Sequence, residues 1–203
     1  MNGGTAVDLW AEERVYQAQG YQLICGADEA GAGPLAGAVY AAAVILPDGL
    51  MLEGLNDSKK VVPTRREILF TAIQAQAVAW AVAWADETEI DAINILNARM
   101  LAMDRAIQKL VPAPDFALID GNRNRGISIP NATIVHGDAK SANIAAASIL
   151  AKVSRDKYME EMAKRYPNYE FERHKGYPTK RHYELLRKYG PCPIHRKTFL
   201  KKL

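Results

Sequence analysis

Only two cysteines occur in 203 residues, and their placement narrows the field first. Cys25 lies in an apolar stretch and Cys192 between two prolines, without CxxC spacing, so neither a disulfide framework nor a cysteine-ligated zinc site is available and both thiols are expected to be free. His136, His174, His182 and His195 likewise lack the spacing of a histidine metal site. No run approaches the roughly 18 consecutive apolar residues that a membrane span requires. The opening, MNGGTAVDLWAEERV, carries acids where a secretion signal has a basic segment and an apolar core, and a cytoplasmic location is the expectation. Internal repeats and low-complexity linkers are missing too. What remains is a chain, 49% hydrophobic, long enough for one core with an appendage.

Charge is unevenly spread. From Ala151 to the C-terminus 15 lysines and arginines face 6 acids, whereas the first 150 residues hold 11 against 17. An acidic body with a basic last quarter suggests acids that hold cations and a basic surface that meets a polyanion, nucleic acid being the first candidate. A solvated basic helix surface would give the same count.

The most informative stretch is ICGADEAGAGPLAG, Ile24 to Gly37, where an apolar segment runs into two adjacent acids and then glycines. Two carboxylates at the end of a buried strand are costly unless something cationic sits between them, so Asp28 and Glu29 point to a bound metal. Neighbouring strand residues face opposite ways, and the two can share a site only if the strand twists or ends there. Gly31 and Gly33 leave a turn whose N–H groups can approach phosphate oxygens. A dinucleotide cradle and an ordinary surface turn are the alternatives, the first weakened because Gly37 comes one residue late for the fingerprint.

Along the chain, the spacing predicts a helix over Val7 to Gln19, strands over Gln22 to Ala27 and Val39 to Leu46, and a helix from Pro63 to Ala77. Val78, Trp80, Val82 and Trp84 alternate with alanines, a strand with bulk on one face and a flat face open to close helix packing. Ile93, Leu96, Met100, Met103, Ile107 and Leu110 recur at intervals of three and four, defining one core-facing helix. Phe116 to Asp120 and Thr133 to His136 read as short strands, a long helix starts behind Ser141 as N-cap, and a last one spans Thr179 to Tyr189. The fold class is therefore α/β, one mixed sheet flanked by helices, with a small helical C-terminal appendage. Asp28, Asp120 and Asp138 each follow an apolar strand and can meet at one rim of such a sheet.

These residues resemble one family in several ordered blocks, the type 2 ribonucleases H and specifically bacterial ribonuclease HII. DEAGAGPLAG (Asp28 to Gly37), NDSKK (Asn56 to Lys60), LIDGN (Leu118 to Asn122), GD (Gly137 and Asp138), AASILAKVSRD (Ala146 to Asp156), HKGYPT (His174 to Thr179) and the tail GPCPIHRKTF carry the likeness over nearly the whole chain. It implies an RNase H-like catalytic domain over residues 1–165 with a basic helical segment, 166–203, packed on it. The implied enzyme is a divalent-metal-dependent endonuclease. It would cut the RNA strand of RNA/DNA hybrids and incise 5′ of ribonucleotides embedded in duplex DNA, leaving 5′-phosphate and 3′-hydroxyl ends, as in ribonucleotide excision repair. By motif position Asp28, Glu29, Asp120 and Asp138 would be the catalytic acids and metal ligands. Gly31, Ala32, Gly33, Asn56, Ser58, Lys59, Lys60, Lys140, His174, Lys175 and Tyr177 would meet substrate. The glycine turn would read the ribose 2′-OH, and Tyr177 would pack on the next sugar.

One position departs. The family carries Gly-Arg-Gly after the acids and alanine, and the arginine position is Ala32 here. The intact surroundings favour a replaced arginine over drift, and the expected effect is weakened substrate grip with the metal ligands untouched.

Four carboxylates without histidine or cysteine ligands suit Mg²⁺ or Mn²⁺, two ions being expected, with Asp28 and Asp120 shared and Glu29 and Asp138 each completing one. Lys59, Lys60, Lys140, Lys175 and Lys180 are candidates for phosphate contact. The expected partners are RNA/DNA hybrid and ribonucleotide-containing DNA, met by a monomer that binds no membrane. A non-catalytic nucleic-acid-binding module and a nucleotide-dependent oxidoreductase are the rival readings.

Overall fold

The computed structural model describes residues 8–55 and 61–201. Its strands are Ile24–Ala30 (β1), Val39–Ile45 (β2), Ala79–Ala85 (β3), Phe116–Asp120 (β4) and Asn131–Ile134 (β5). They form one mixed sheet in the order β3-β2-β1-β4-β5, antiparallel between β1, β2 and β3 and parallel between β1, β4 and β5. Its helices are Ala11–Gln17 (α1), Pro63–Gln76 (α2), Glu87–Ile93 (α3), Ile95–Gln108 (α4), Ala142–Arg165 (α5), Phe171–His174 (α6) and Lys180–Tyr189 (α7). The expected α/β architecture is the one observed.

Small side chains let helices lie close on both faces. The alanines of β3 are buried against Ala98, Ala102, Met103, Ala106 and Ile107 of α4, while Trp80 and Trp84 stand on the other side, 39% and 49% exposed. Each fully buried Met or Ile there contributes about 1.5–3 kcal/mol relative to exposure. On the opposite face Ala42 and Val44 of β2 meet the alanine-rich start of α5. At Gly26 the strand meets the backbone of α5 itself, where a Cβ would lie 2.2 Å from the backbone nitrogen of Ile144 and 2.3 Å from the carbonyl carbon of Asn143. Asn143 fixes this crossing, accepting from the Leu46 N–H at 2.8 Å and donating to the Ile24 carbonyl at 3.2 Å.

The N-terminus of α5 is doubly capped. Ser141 accepts from the Ile144 N–H, and its hydroxyl donates to Glu13 of α1 at 2.6 Å. Glu13 also accepts from the Asn143 N–H. A carboxylate at a helix N-terminus is favoured by the exposed N–H groups and dipole, but burial still pushes its pKa up, opposed by those two bonds.

The apolar pattern over Ile93 to Leu110 does not form one helix. Asn94 sits at φ 65° and breaks it, its side chain accepting from the Leu96 and Asn97 N–H groups to start α4 afresh. Ile93 and Leu96 are consequently exposed, and only Met100, Met103, Ile107 and Leu110 face the core. Asp86 and Glu89 start α3 through a reciprocal capping box. β1 runs on through the acids to Ala30 because Asp28, Glu29 and Ala30 pair with Ala42, Ala41 and Tyr40.

The last segment closes over the turn that follows β1. Leu35 and Ala36 are buried with Met159, Tyr169, Phe171, Leu185, Leu186 and Ile194. Among the described residues no helix is long and apolar enough to cross a membrane.

Candidate functional site

Strand register gathers the acids. β1 and β4 run parallel with Gly26 beside Leu118 and Ala27 beside Ile119, so one rung further Asp28 comes beside Asp120, both on the α5 face. Asp138 follows β5 in a short 3-10 turn, Gly137–Ala139. That turn is tied directly to β4, because the Gly137 N–H donates to Asp120 Oδ1 at 2.8 Å. Space at 137 is tight: a Cβ there would lie 2.6 Å from Ile144 Cδ1 and 3.2 Å from that same carboxylate oxygen, so a larger residue would push on both.

Glu29 differs. Strand alternation sends it to the α4 face, where Arg99 Nη1 donates to its Oε1 at 3.1 Å. Arg99 Nε is buried without a hydrogen-bond partner among the described residues.

Electrostatics mark Asp28 as the costly member. It is 7% exposed, and its carboxyl is pushed well above the ordinary value, first by burial and then by repulsion from Glu29, Asp120 and Asp138, with the Glu29 N–H bond opposing. Such a carboxylate is stabilised by a cation. Among the described residues no group of three or more His, Cys, Asp or Glu side chains meets the geometry of a metal site. The fit to a hard divalent ion therefore rests on the donor chemistry, all carboxylate oxygen, and on this mutual repulsion. Mg²⁺ keeps much of its water and needs few protein ligands.

Beside the acids lies a pocket of about 200 Å³ lined by Asp28, Glu29, Ala30, Gly31, Ala32, Gly33, Lys152 and Tyr177. Gly31 is at φ +92° with Arg155 packed where a Cβ would project, so both backbone and space exclude other residues. Gly33 is exposed and under neither constraint. Tyr177 is 40% exposed, with the buried Arg155 guanidinium 5.6 Å from its ring centre. Arg155 Nη2 donates to the carbonyls of Ala36 and Lys175.

Of the residues expected to meet substrate, the structure brings Gly31, Ala32, Gly33 and Tyr177 to this pocket. His174 is elsewhere: it is buried, pairs through Nε2 with the Tyr169 carbonyl at 2.8 Å, and accepts from the Gly176 N–H at Nδ1. Burial lowers its pKa, and it supports the turn carrying Tyr177 from behind. Lys175 forms an ion pair with Glu160 at 2.8 Å and lines a separate recess. Lys140 is exposed two residues beyond Asp138. Asn56, Ser58, Lys59 and Lys60 lie outside the described residues.

Sequence reasoning overlooked Lys152, which lines the pocket and bonds Asp156 at 2.7 Å. Its local signals are its place in the AASILAKVSRD block and the i,i+4 spacing of lysine and aspartate. Arg99 and Arg196 were overlooked as well, their partners lying far away in the chain.

Three comparisons bear on this arrangement. The profile of a family described as Ribonuclease HII matches residues 25–202. A protein named Ribonuclease HII from Caldicellulosiruptor bescii is 52% identical over 185 residues, covering 91% of this chain and 90% of its own. Among solved structures, the ribonuclease H2 of Pyrococcus horikoshii OT3 has a TM-score of 0.71 at 26% identity, over 87% of this chain and 93% of that one. Bst-RNase HIII in complex with Mn²⁺ has a TM-score of 0.65 at 20% identity, over 83% of this chain and 63% of that one, which shows a shared fold.

Proposed function

The chain belongs to the ribonuclease HII family and is a type 2 ribonuclease H that acts on RNA/DNA hybrids; from that premise we propose that it is a divalent-metal-dependent endonuclease that also incises duplex DNA 5′ of an embedded ribonucleotide. The observation that carries the reading is Asp28, a buried carboxylate repelled by three others beside a glycine turn open to substrate. A structural acid would be paired away by a local cation; this one is left for a cation from solution.

Asp28, Asp120 and Asp138 would hold the ions, with Glu29 joining from across the strand. Ions held there would supply Lewis-acid polarisation of a water and of the leaving oxygen. The protein's own part is placement. The Gly31 to Gly33 turn presents backbone to the ribose, Tyr177 offers a face for the adjoining sugar, and Lys152 and Lys140 supply charge near the phosphates. Ala32 lines the pocket, so a basic side chain built from it would enter the site; its lack weakens substrate grip and leaves the acids intact. The Mn²⁺ of the Bst-RNase HIII structure, on the same fold, agrees with this donor set.

The test is a duplex bearing one ribonucleotide, incubated with and without Mn²⁺ or Mg²⁺. Incision 5′ of the ribonucleotide is expected only with the ion, leaving 3′-hydroxyl and 5′-phosphate ends, and Asp120→Asn is expected to abolish it. Binding without cutting would instead make the chain a nucleic-acid-binding module, and cutting unaffected by chelation would overturn the metal assignment.

A further inference from the structure

The residue that most directly shapes the proposed recognition turn comes from the far end of the chain. Arg196 is fully buried, and its guanidinium is spent almost wholly on that turn. Nη2 donates to the carbonyls of Gly31 at 2.6 Å and Gly37 at 2.7 Å, Nη1 to Ala32 at 2.9 Å, and Nε to Gly37 at 2.9 Å. The backbone around it is stitched to the same segment. The Arg196 N–H donates to the Leu35 carbonyl, the Gly37 N–H to the Ile194 carbonyl, and Ala36 bridges His195.

In a trans peptide the C=O and N–H point in opposite directions. Carbonyls of Gly31 and Ala32 held inward on a guanidinium therefore turn the N–H groups of Ala32 and Gly33 the other way, and both residues line the pocket. Neither N–H is spent on a protein acceptor among the described residues. We propose that Arg196 is a positioning residue for substrate recognition, a clamp that aims the Ala32 and Gly33 N–H groups at the ribonucleotide.

The arrangement is costly in a way that packing alone does not explain. Arg196 has no carboxylate within ion-pair distance among the described residues, and burial together with the neighbouring Arg155 charge lowers its pKa to about 9. A lysine cannot replace it, since one ammonium lacks the planar fork that reaches three separated carbonyls. The clamp is anchored from outside the turn by Asp91, whose carboxylate accepts from the Lys197 and Thr198 N–H groups at 2.9 Å each and from the Thr198 hydroxyl at 2.6 Å.

This inference rests on the ribonucleotide-reading function proposed above, and the experiment separates the two. Affinities for a duplex with one ribonucleotide and for the all-DNA duplex of the same sequence are measured by fluorescence anisotropy in EDTA. The unsubstituted chain, Arg196→Lys and Asp91→Ala are compared, the last loosening the tail without touching the turn. Amide hydrogen exchange over residues 31–37 is followed in parallel. Arg196→Lys is expected to reduce the preference for the ribonucleotide duplex about fivefold or more, change all-DNA affinity less than about twofold, and speed exchange in the turn about tenfold with α5 still protected. Asp91→Ala should do the same more weakly, and it decides the matter should Arg196→Lys not fold. A purely structural role would lower both affinities and the melting temperature together. A preference that survives in either folded variant, or a turn equally protected, overturns the clamp alone. The absence of any preference in the unsubstituted chain overturns the ribonucleotide-reading function and the clamp with it.

Discussion

Replacing Asp28 with asparagine should stabilise the metal-free protein while destroying its activity, and the size of the effect follows from the site. The carboxyl is buried and repelled by three other acids, so its folded pKa lies well above the ordinary 3.8. The folded state then holds the proton more tightly than the unfolded one, and stability falls as pH rises from about 3.8 until the folded value is passed. At pH 7 the loss cannot exceed the free energy of keeping a carboxyl protonated there, about 4 kcal/mol at about 1.36 kcal/mol per pH unit. Asparagine has no such loss, and its amide oxygen can still accept the 2.7 Å bond from the Glu29 N–H. The expected gain at neutral pH is at most that amount, or at most about 16 °C in Tm for a chain of this size. The assay is thermal unfolding in EDTA from about pH 3.5 to 7, for both proteins, repeated with Mn²⁺. The gap should be small at the acid end and widen with pH, and Mn²⁺ should raise the Tm of the unsubstituted chain more than that of Asp28→Asn. A gap that does not vary with pH, or a variant that cuts as fast as its parent, would refute the reasoning.

Ala32→Arg should tighten binding of a ribonucleotide-containing duplex by about 1.5–3 kcal/mol, the value of a charge-assisted hydrogen bond, or about tenfold to 150-fold in Kd; unchanged Kd and cleavage position would contradict this. Gly26→Ala should cost about 3 kcal/mol or more in a urea titration, because the added methyl meets the backbone of α5 rather than a side chain that can move. His182 and His195, buried and lowered to about 4 chiefly by burial, should stay neutral well below pH 6 by NMR. Since the unfolded chain binds those protons first, stability present above about pH 6.5 should be lost as pH falls towards about 4, on the order of 3 kcal/mol per ring. Either ring titrating near 6.5 would contradict that.

Features set by local chemistry were legible in the chain itself. Phe116 to Asp120 is a strand with the expected bounds, Ser141 is the cap of α5, and the alanine face of β3 receives α4 as its alternation implied. The acids could be placed at strand tips for the same reason, although the strand carrying Asp28 and Glu29 runs through them because β2 offers it partners. Illegible features depended on distant partners or on one residue's backbone. Asn94 reads as an ordinary polar position in a helical pattern until its φ of 65° is seen. Arg99 and Arg196 carry no local hint that they reach Glu29 and the Gly31 to Gly37 turn, 70 and some 160 residues away. His174 and Lys175 look like substrate contacts because they share the HKGYPT block with Tyr177, yet the αL backbone at Lys175 and the bond to Tyr169 send them elsewhere.

Because residues 194–196 bond the turn at 31–37, these contacts can form only late in synthesis. A ribosome delivers every strand and all four acids long before it releases Ile194, so a nascent polypeptide can assemble its sheet while the glycine turn still lacks its final contacts. Proteolytic loss of the last dozen residues, or a stop codon after Tyr189, would leave a body with its carboxylates in place and a slack turn beside them. Such a fragment is expected to retain cations better than it retains discrimination, and a tag joined at the C-terminus belongs on a linker long enough to leave Arg196 undisturbed.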